Sequence, residues 1–204
     1  CVALANSKYS VVIPFLSIDG KTPSFDPQTE IYIRDLVCSF LEDNTTKLIG
    51  HNAGQYDRLV IENTLGVTPK LDADTLLMHL LTDNEMPHNL GFVTSVYTDF
   101  VEAWKANHTA LNARDDRELW TYCAKDACAT ARVAAPLARV VRGRSQWHLM
   151  DREHHLQDVG VGMQRLGLRV DQDRLLFHGA EFELKLQKNK EVCAEIVNAD
   201  FNPN

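Results

Sequence analysis

The sequence lacks several things that would assign it to a familiar class. No apolar run approaches the roughly 18 residues of a membrane span, and no signal-peptide pattern is present. The five cysteines, at positions 1, 38, 123, 128 and 193, include no Cys-x-x-Cys pair. That leaves zinc-ribbon and thioredoxin chemistry without support, and a scattered, odd count fits reduced intracellular thiols. Positive charge is short: 21 Lys and Arg stand against 28 Asp and Glu, for a formal net charge of −7. A chain that coats nucleic acid by bulk attraction is thereby excluded, whereas an enzyme whose own metal-binding carboxylates add negative charge is not. Internal repeats and low-complexity segments are absent too. What is present is ample apolar material, 45% of the residues, enough to build a core.

Read in order, residues 2–6 and 9–16 look like two strands joined by a hairpin at Asn6-Ser7-Lys8. Residues 17–28, with Gly20, Pro23 and Pro27, read as a loop in which Asp19 and Asp26 are turn carboxylates. Residues 29–43 carry a helical apolar stripe, and 47–50 a short buried strand. A helix follows from Arg58 to Leu65. Asp72 or Asp74 reads as the N-cap of the apolar helix that starts near Leu76. A short helix opens at Pro87-His88-Asn89-Leu90 and ends near Tyr97, and the polar stretch 99–114 reads as loop or broken helix. Helices are expected over 115–143, 145–166 and 172–198, with Gly167 ending the second and Asp171 capping the third. His51 and His88 are lone histidines, more often structural than ligands, and the adjacent His154 and His155 would point apart on a helix.

Two constellations carry chemistry. In the long helix Tyr122 and Asp126 stand four apart, so a phenol and a carboxylate share one face. The carboxylate is a hard oxygen ligand suited to Mg²⁺ or Mn²⁺, and a neighbouring hydroxyl could orient a water. Earlier, Asn52 leaves the strand at 47–50, where α/β sheets present function. Asp57 falls in the first turn of the next helix, a place that the helix dipole alone would favour for an acid.

Leu48-Ile49-Gly50-His51-Asn52 followed by Tyr56-Asp57 resembles the second motif of the 3′–5′ exonucleases, and Tyr122-x-x-x-Asp126 resembles the third. In motif order and spacing the chain is similar to the proofreading 3′–5′ exonuclease domain of family A DNA polymerases, of the bacterial and phage type. The branch with His in the third motif would place it five residues before the Asp. Here Thr121 stands there, so Tyr122 indicates the Tyr branch. Asp74-Thr75-Leu76-Leu77 and Pro87-His88-Asn89-Leu90 also resemble phage-type members. Arg165-Leu166-Gly167-Leu168-Arg169-Val170-Asp171 and Phe201-Asn202-Pro203-Asn204 are similar to the opening of the polymerase domain. One departure is plain: the family's first motif, Asp-x-Glu, is not in this sequence. Cys1-Val2-Ala3-Leu4-Ala5 looks like the family's second strand, so the chain is expected to be an internal piece of a longer protein.

The resemblance implies an α/β, ribonuclease H-like fold, a mixed sheet flanked by helices with its first strand missing, followed by a helical extension. Residues 1–143 would be the exonuclease domain and 144–204 the start of the polymerase domain. It implies two Mg²⁺ or Mn²⁺ ions, with Asp126 holding the one that serves the nucleophile and Asp57 supporting the second through water. Tyr122 would orient the attacking water, and Asn52 would position the terminal nucleotide or the Asp57 loop. The implied substrate is the single-stranded 3′ end of a primer-template DNA, with the polymerase domain in cis, no membrane partner, and a bacterial or phage-infected cytoplasm as the setting. Two rivals share these motifs: a catalytically silent structural domain of a polymerase, and an RNA-processing exonuclease of the ribonuclease D type. Without its first strand and the partner of its last helix, the piece is expected to be poorly stable or to associate.

Overall fold

The computed structural model describes residues 1–6, 8–99 and 113–197. Ser7, most of the polar stretch between 99 and 114, and the segment Phe201-Asn202-Pro203-Asn204 lie outside the described residues. Val2–Ala5 (β1) and Ser10–Ile13 (β2) pair antiparallel, with Val2 opposite Ile13 and Ala5 opposite Ser10. Asn6 shapes the turn: its Oδ1 accepts from the N–H groups of Lys8 and Tyr9 at 2.8 and 3.0 Å. Asp19 is a turn carboxylate as expected, accepting from the N–H groups of Lys21 and Thr22, whereas Asp26, expected in the same loop, is a helix cap. Asp26 accepts from the N–H groups of Gln28 and Thr29 and caps Pro27–Glu42 (α1), whose proline at the first position suits a helix start.

Leu48–Gly50 (β3), Asp57–Leu65 (α2) and Leu71–Asp74 (β4) form a strand–helix–strand unit in which the two strands run parallel. Thr75–Thr82 (α3) starts directly from β4, and Leu90–Tyr97 (α4) starts from Asn89, whose side chain accepts from Phe92 N–H. Asp116–Gly143 (α5) is the long helix anticipated from the sequence, capped by Asp115 accepting from Glu118 N–H at 2.8 Å. Pro136 sits inside it and has no N–H to offer to the turn before it.

The expected mixed sheet is not what the described residues form. They make two separate two-stranded sheets, β1–β2 and β3–β4. The strands are only three or four residues long, too short for a sheet to carry a core. The burden passes to α5, which packs against α3, α4, β1, β2 and β3. Ala129, Val133, Leu137 and Val141 recur every four residues along it and are completely buried. Around them gather Met78, Leu90, Val93 and Met150. A second, smaller cluster of Val37, Leu41 and Val67 sits under α1, with Ile13, Leu48 and Ile61 against it.

The chain divides into two compact units, Cys1–Met163 and Gln164–Asn204. Trp147–Leu166 (α6) crosses that division. In the second unit, Gln172–Val197 (α7) starts from Asp171, which accepts from Arg174 N–H at 3.1 Å. No described residue of α7 is buried, and Leu176, Phe177, Phe182 and Leu184 are largely exposed. Among the described residues, no helix is long and apolar enough to cross a membrane.

Two predictions follow from the packing around α5. Leu137→Ala, at full burial, should lower unfolding stability by about 2–5 kcal/mol, because a cavity replaces packed methyls. Leu168→Ala, at 92% exposure, should change it by less than about 0.5 kcal/mol; urea unfolding reads both. His79 supplies the second. It is buried, with Nδ1 2.7 Å from Nδ1 of His88, and its ring stands edge-on to Phe92 and Tyr97. Burial, helped by His88 and opposed by Asp83, holds its pKa below the ordinary imidazole value. The unfolded chain then binds the proton more readily, so stability contributed by His79 is present above the unfolded value of about 6.5 and lost as pH falls through it. Unfolding free energy should therefore drop as pH falls below about 7.5 toward the lowered folded-state value, and less steeply in His79→Phe.

Candidate active site

The parallel strands β3 and β4 end side by side, Gly50 opposite Asp74. What leaves those ends is the candidate site. Beyond β3 the chain must turn sharply toward α2. Asn52 makes that turn in the left-handed region, at φ 58°, which asparagine tolerates better than most residues. Gly50 is required by the same turn, because a Cβ there would fall inside the Ala53 methyl. Arg58 N–H then closes onto the Ala53 carbonyl at 2.9 Å, and α2 begins with Asp57 in its first turn. Helix α6 leans on this segment: Arg58 pairs with Asp158, and Gly54 lacks a side chain where Gln157 lies over it.

Asp74 closes the turn from below. It is completely buried. Its Oδ1 accepts from Asn52 N–H at 2.8 Å and from Leu76 N–H at 2.9 Å, and its Oδ2 accepts from Ala53 N–H at 3.0 Å. The next residue, Thr75, donates its hydroxyl to the Gly50 carbonyl at 3.1 Å. That hydroxyl proton being used, His51 Nδ1, 2.9 Å away, must be the protonated ring nitrogen that donates to Thr75.

Tyr122 and Asp126 come from the first half of α5, which packs on β3 and β1. Tyr122 is partly buried against the main core cluster. Asp57, from α2, lies near enough to Asp126 for their charges to interact. Its residue stays open to solvent, yet the protein mass around the carboxyl raises its pKa above the ordinary value. Its own backbone N–H pulls the other way, and the charges of Asp74 and then Asp126 add smaller upward pushes. The structure thus brings Asp57 and Asp126 within electrostatic reach of each other, with Tyr122 one turn before Asp126 and Asn52 at the turn leading to Asp57. At the edge of the site Cys123 lies 3.5 Å from Cys1, sulfur to sulfur, and burial raises its thiol pKa.

Crowded carboxylates with an open side are what a hard divalent cation neutralises, so Asp57 and Asp126 fit such an ion by donor chemistry. Asp74 does not, since backbone N–H groups occupy both its oxygens. Among the described residues no group of three or more His, Cys, Asp or Glu is arranged to hold a metal ion.

The family model described as 3′–5′ exonuclease matches residues 25–142, more than half of the chain. The chain belongs to the 3′–5′ exonuclease family. No curated protein and no solved structure matches it. The matched span of this exonuclease chain runs from before α1 almost to the end of α5, so it includes Asn52, Asp57, Asp74, Tyr122 and Asp126.

Sequence reasoning left the N-cap between Asp72 and Asp74; it is Asp74, and the sequence reading missed that Asp74 also holds the turn carrying Asp57. The signal was available in Leu71-Asp72-Ala73-Asp74, an apolar–polar alternation that marks a strand. A parallel strand ending on a carboxylate places that group beside the exit of its neighbour. Gly50→Ala should cost about 1–3 kcal/mol through the overlap with Ala53, measured by urea unfolding. The same substitution at Gly143, where a Cβ meets open space, should be tolerated far better.

Proposed function

We propose that this chain is the 3′–5′ proofreading exonuclease part of a family A DNA polymerase, of the Tyr branch, acting on single-stranded DNA 3′ ends. The observation that supports this most directly is that Asp57, in the first turn of α2, is within electrostatic reach of Asp126, which lies on α5 one turn after Tyr122. In this reading residues 1–143 are a ribonuclease H-like exonuclease domain, and 144–204 are the helical start of the polymerase domain in cis. The setting is the cytoplasm of a bacterial or phage-infected cell.

Hydrolysis of a phosphodiester needs a nucleophilic water, charge stabilisation on the phosphate and a held substrate. Divalent cations, Mg²⁺ or Mn²⁺, supply the Lewis acidity when bound. Asp126 and Asp57 present the carboxylate oxygens that would hold them. The Tyr122 hydroxyl orients the attacking water for displacement at the terminal phosphate. Asn52 sets the turn beside the terminal nucleotide. The acidic balance of the chain fits a domain that supplies chemistry, with affinity for DNA coming from elsewhere.

The test is degradation of a 3′-labelled single-stranded DNA in the presence of Mn²⁺ by the polymerase that carries this chain; the chain alone, without an Asp-x-Glu motif, should be inactive or weak. Asp57→Ala and Asp126→Ala should each reduce degradation to background, and Tyr122→Phe should slow it by about 10- to 100-fold. Degradation that persists in the Asp57→Ala, Asp126→Ala double variant sinks the assignment. A preference for RNA over DNA 3′ ends would point instead to the ribonuclease D type.

A further inference from the structure

The nuclease reading assigns Asp74 no role, yet it is the most deeply buried acid of the site. A carboxylate without solvent must be satisfied by hydrogen bonds, and Asp74 takes three from backbone N–H groups. Capping α3 requires only the one from Leu76. The other two come from Asn52 and Ala53, in the left-handed turn that carries the chain from β3 to Asp57. That turn needs holding. Tyr56, which precedes Asp57, is 70% exposed, and the start of α2 has no side-chain cap of its own. Thr75 adds to the hold by bonding the Gly50 carbonyl and His51. The residues between β3 and α2 are thus fastened to the end of β4 at consecutive points, 50 to 53.

We propose that Asp74 is a positioning residue of this site: the carboxylate that caps α3 also grips the Asn52–Ala53 turn, and so fixes where Asp57 stands opposite Asp126. The grip itself is independent of the nuclease reading, and its consequence for metal binding rests on that reading. Asp74→Asn separates the two jobs. Asparagine caps a helix as well as aspartate, but its NH₂ would face the Ala53 N–H, donor against donor. Asp74→Ser likewise keeps a cap and has a single oxygen, so it serves where the asparagine variant fails to fold.

Two measurements on the full chain decide it: amide hydrogen exchange at Asn52 and Ala53, and Mn²⁺ affinity by calorimetry. The expected result in Asp74→Asn is exchange at Ala53, the amide left facing the NH₂, faster by about tenfold or more, with the core amides of Val133 and Leu137 unchanged. Mn²⁺ should bind about 10- to 100-fold more weakly. Asp43→Asn, at the C-terminal end of α1, should alter neither. Wild-type exchange at Asn52 and Ala53 in a folded variant overturns the grip, whatever happens to Mn²⁺. Faster exchange with unchanged Mn²⁺ affinity overturns the positioning role. A wild-type chain that binds no Mn²⁺, with the exchange difference intact, overturns the positioning role and leaves the grip standing, while the nuclease reading answers to the degradation assay.

Discussion

Most of the first unit depends on burying one stripe of one helix. Ala129, Val133, Leu137 and Val141 lie on a single face of α5, and α5 is the common neighbour of two short sheets and two helices. Strands of three or four residues make few ladder bonds and would not persist alone. They are kept in place by what they cover. The same packing sets the candidate site, because the N-terminal half of α5 carries Tyr122 and Asp126 as its second half fills the core. Register along α5 therefore fixes both the depth of Leu137 and the direction of Asp126.

The helices were legible because their signals are local. Asp115 before the long helix, Asp26 with Pro27 before α1, and Asn89 before α4 are side chains acting on backbone a few residues away. The strands were harder. β1, β2 and β3 stand out as apolar runs bounded by turns, whereas β4 is half acidic and was absorbed into the cap of the helix that follows it. Both assignments of Asp74 are true at once, and local reasoning stops at the first. The expected single mixed sheet failed for a related reason. Strand content can be read along a chain, but whether two hairpin-sized pieces join depends on contacts that periodicity does not encode.

For the site, spacing alone gave Tyr122 and Asp126 a shared face, and the structure adds that Asp57 reaches the same space. That meeting depends on the turn at Asn52, whose left-handed backbone no motif spells out. It also depends on α6, through Arg58 with Asp158 and the close approach of Gln157 to Gly54. These partners lie about a hundred residues downstream, beyond the span that the family match covers. A short motif records the groups that do chemistry, and the groups that aim them are scattered among residues chosen for shape.

The separation of Asp57 from Asp126 along the chain has a consequence in time. A ribosome adds about 5–20 residues per second, so β3 and α2 exist for several seconds before Asp126 has been made. Throughout that interval the growing chain has half of the pair and none of the helix that positions it.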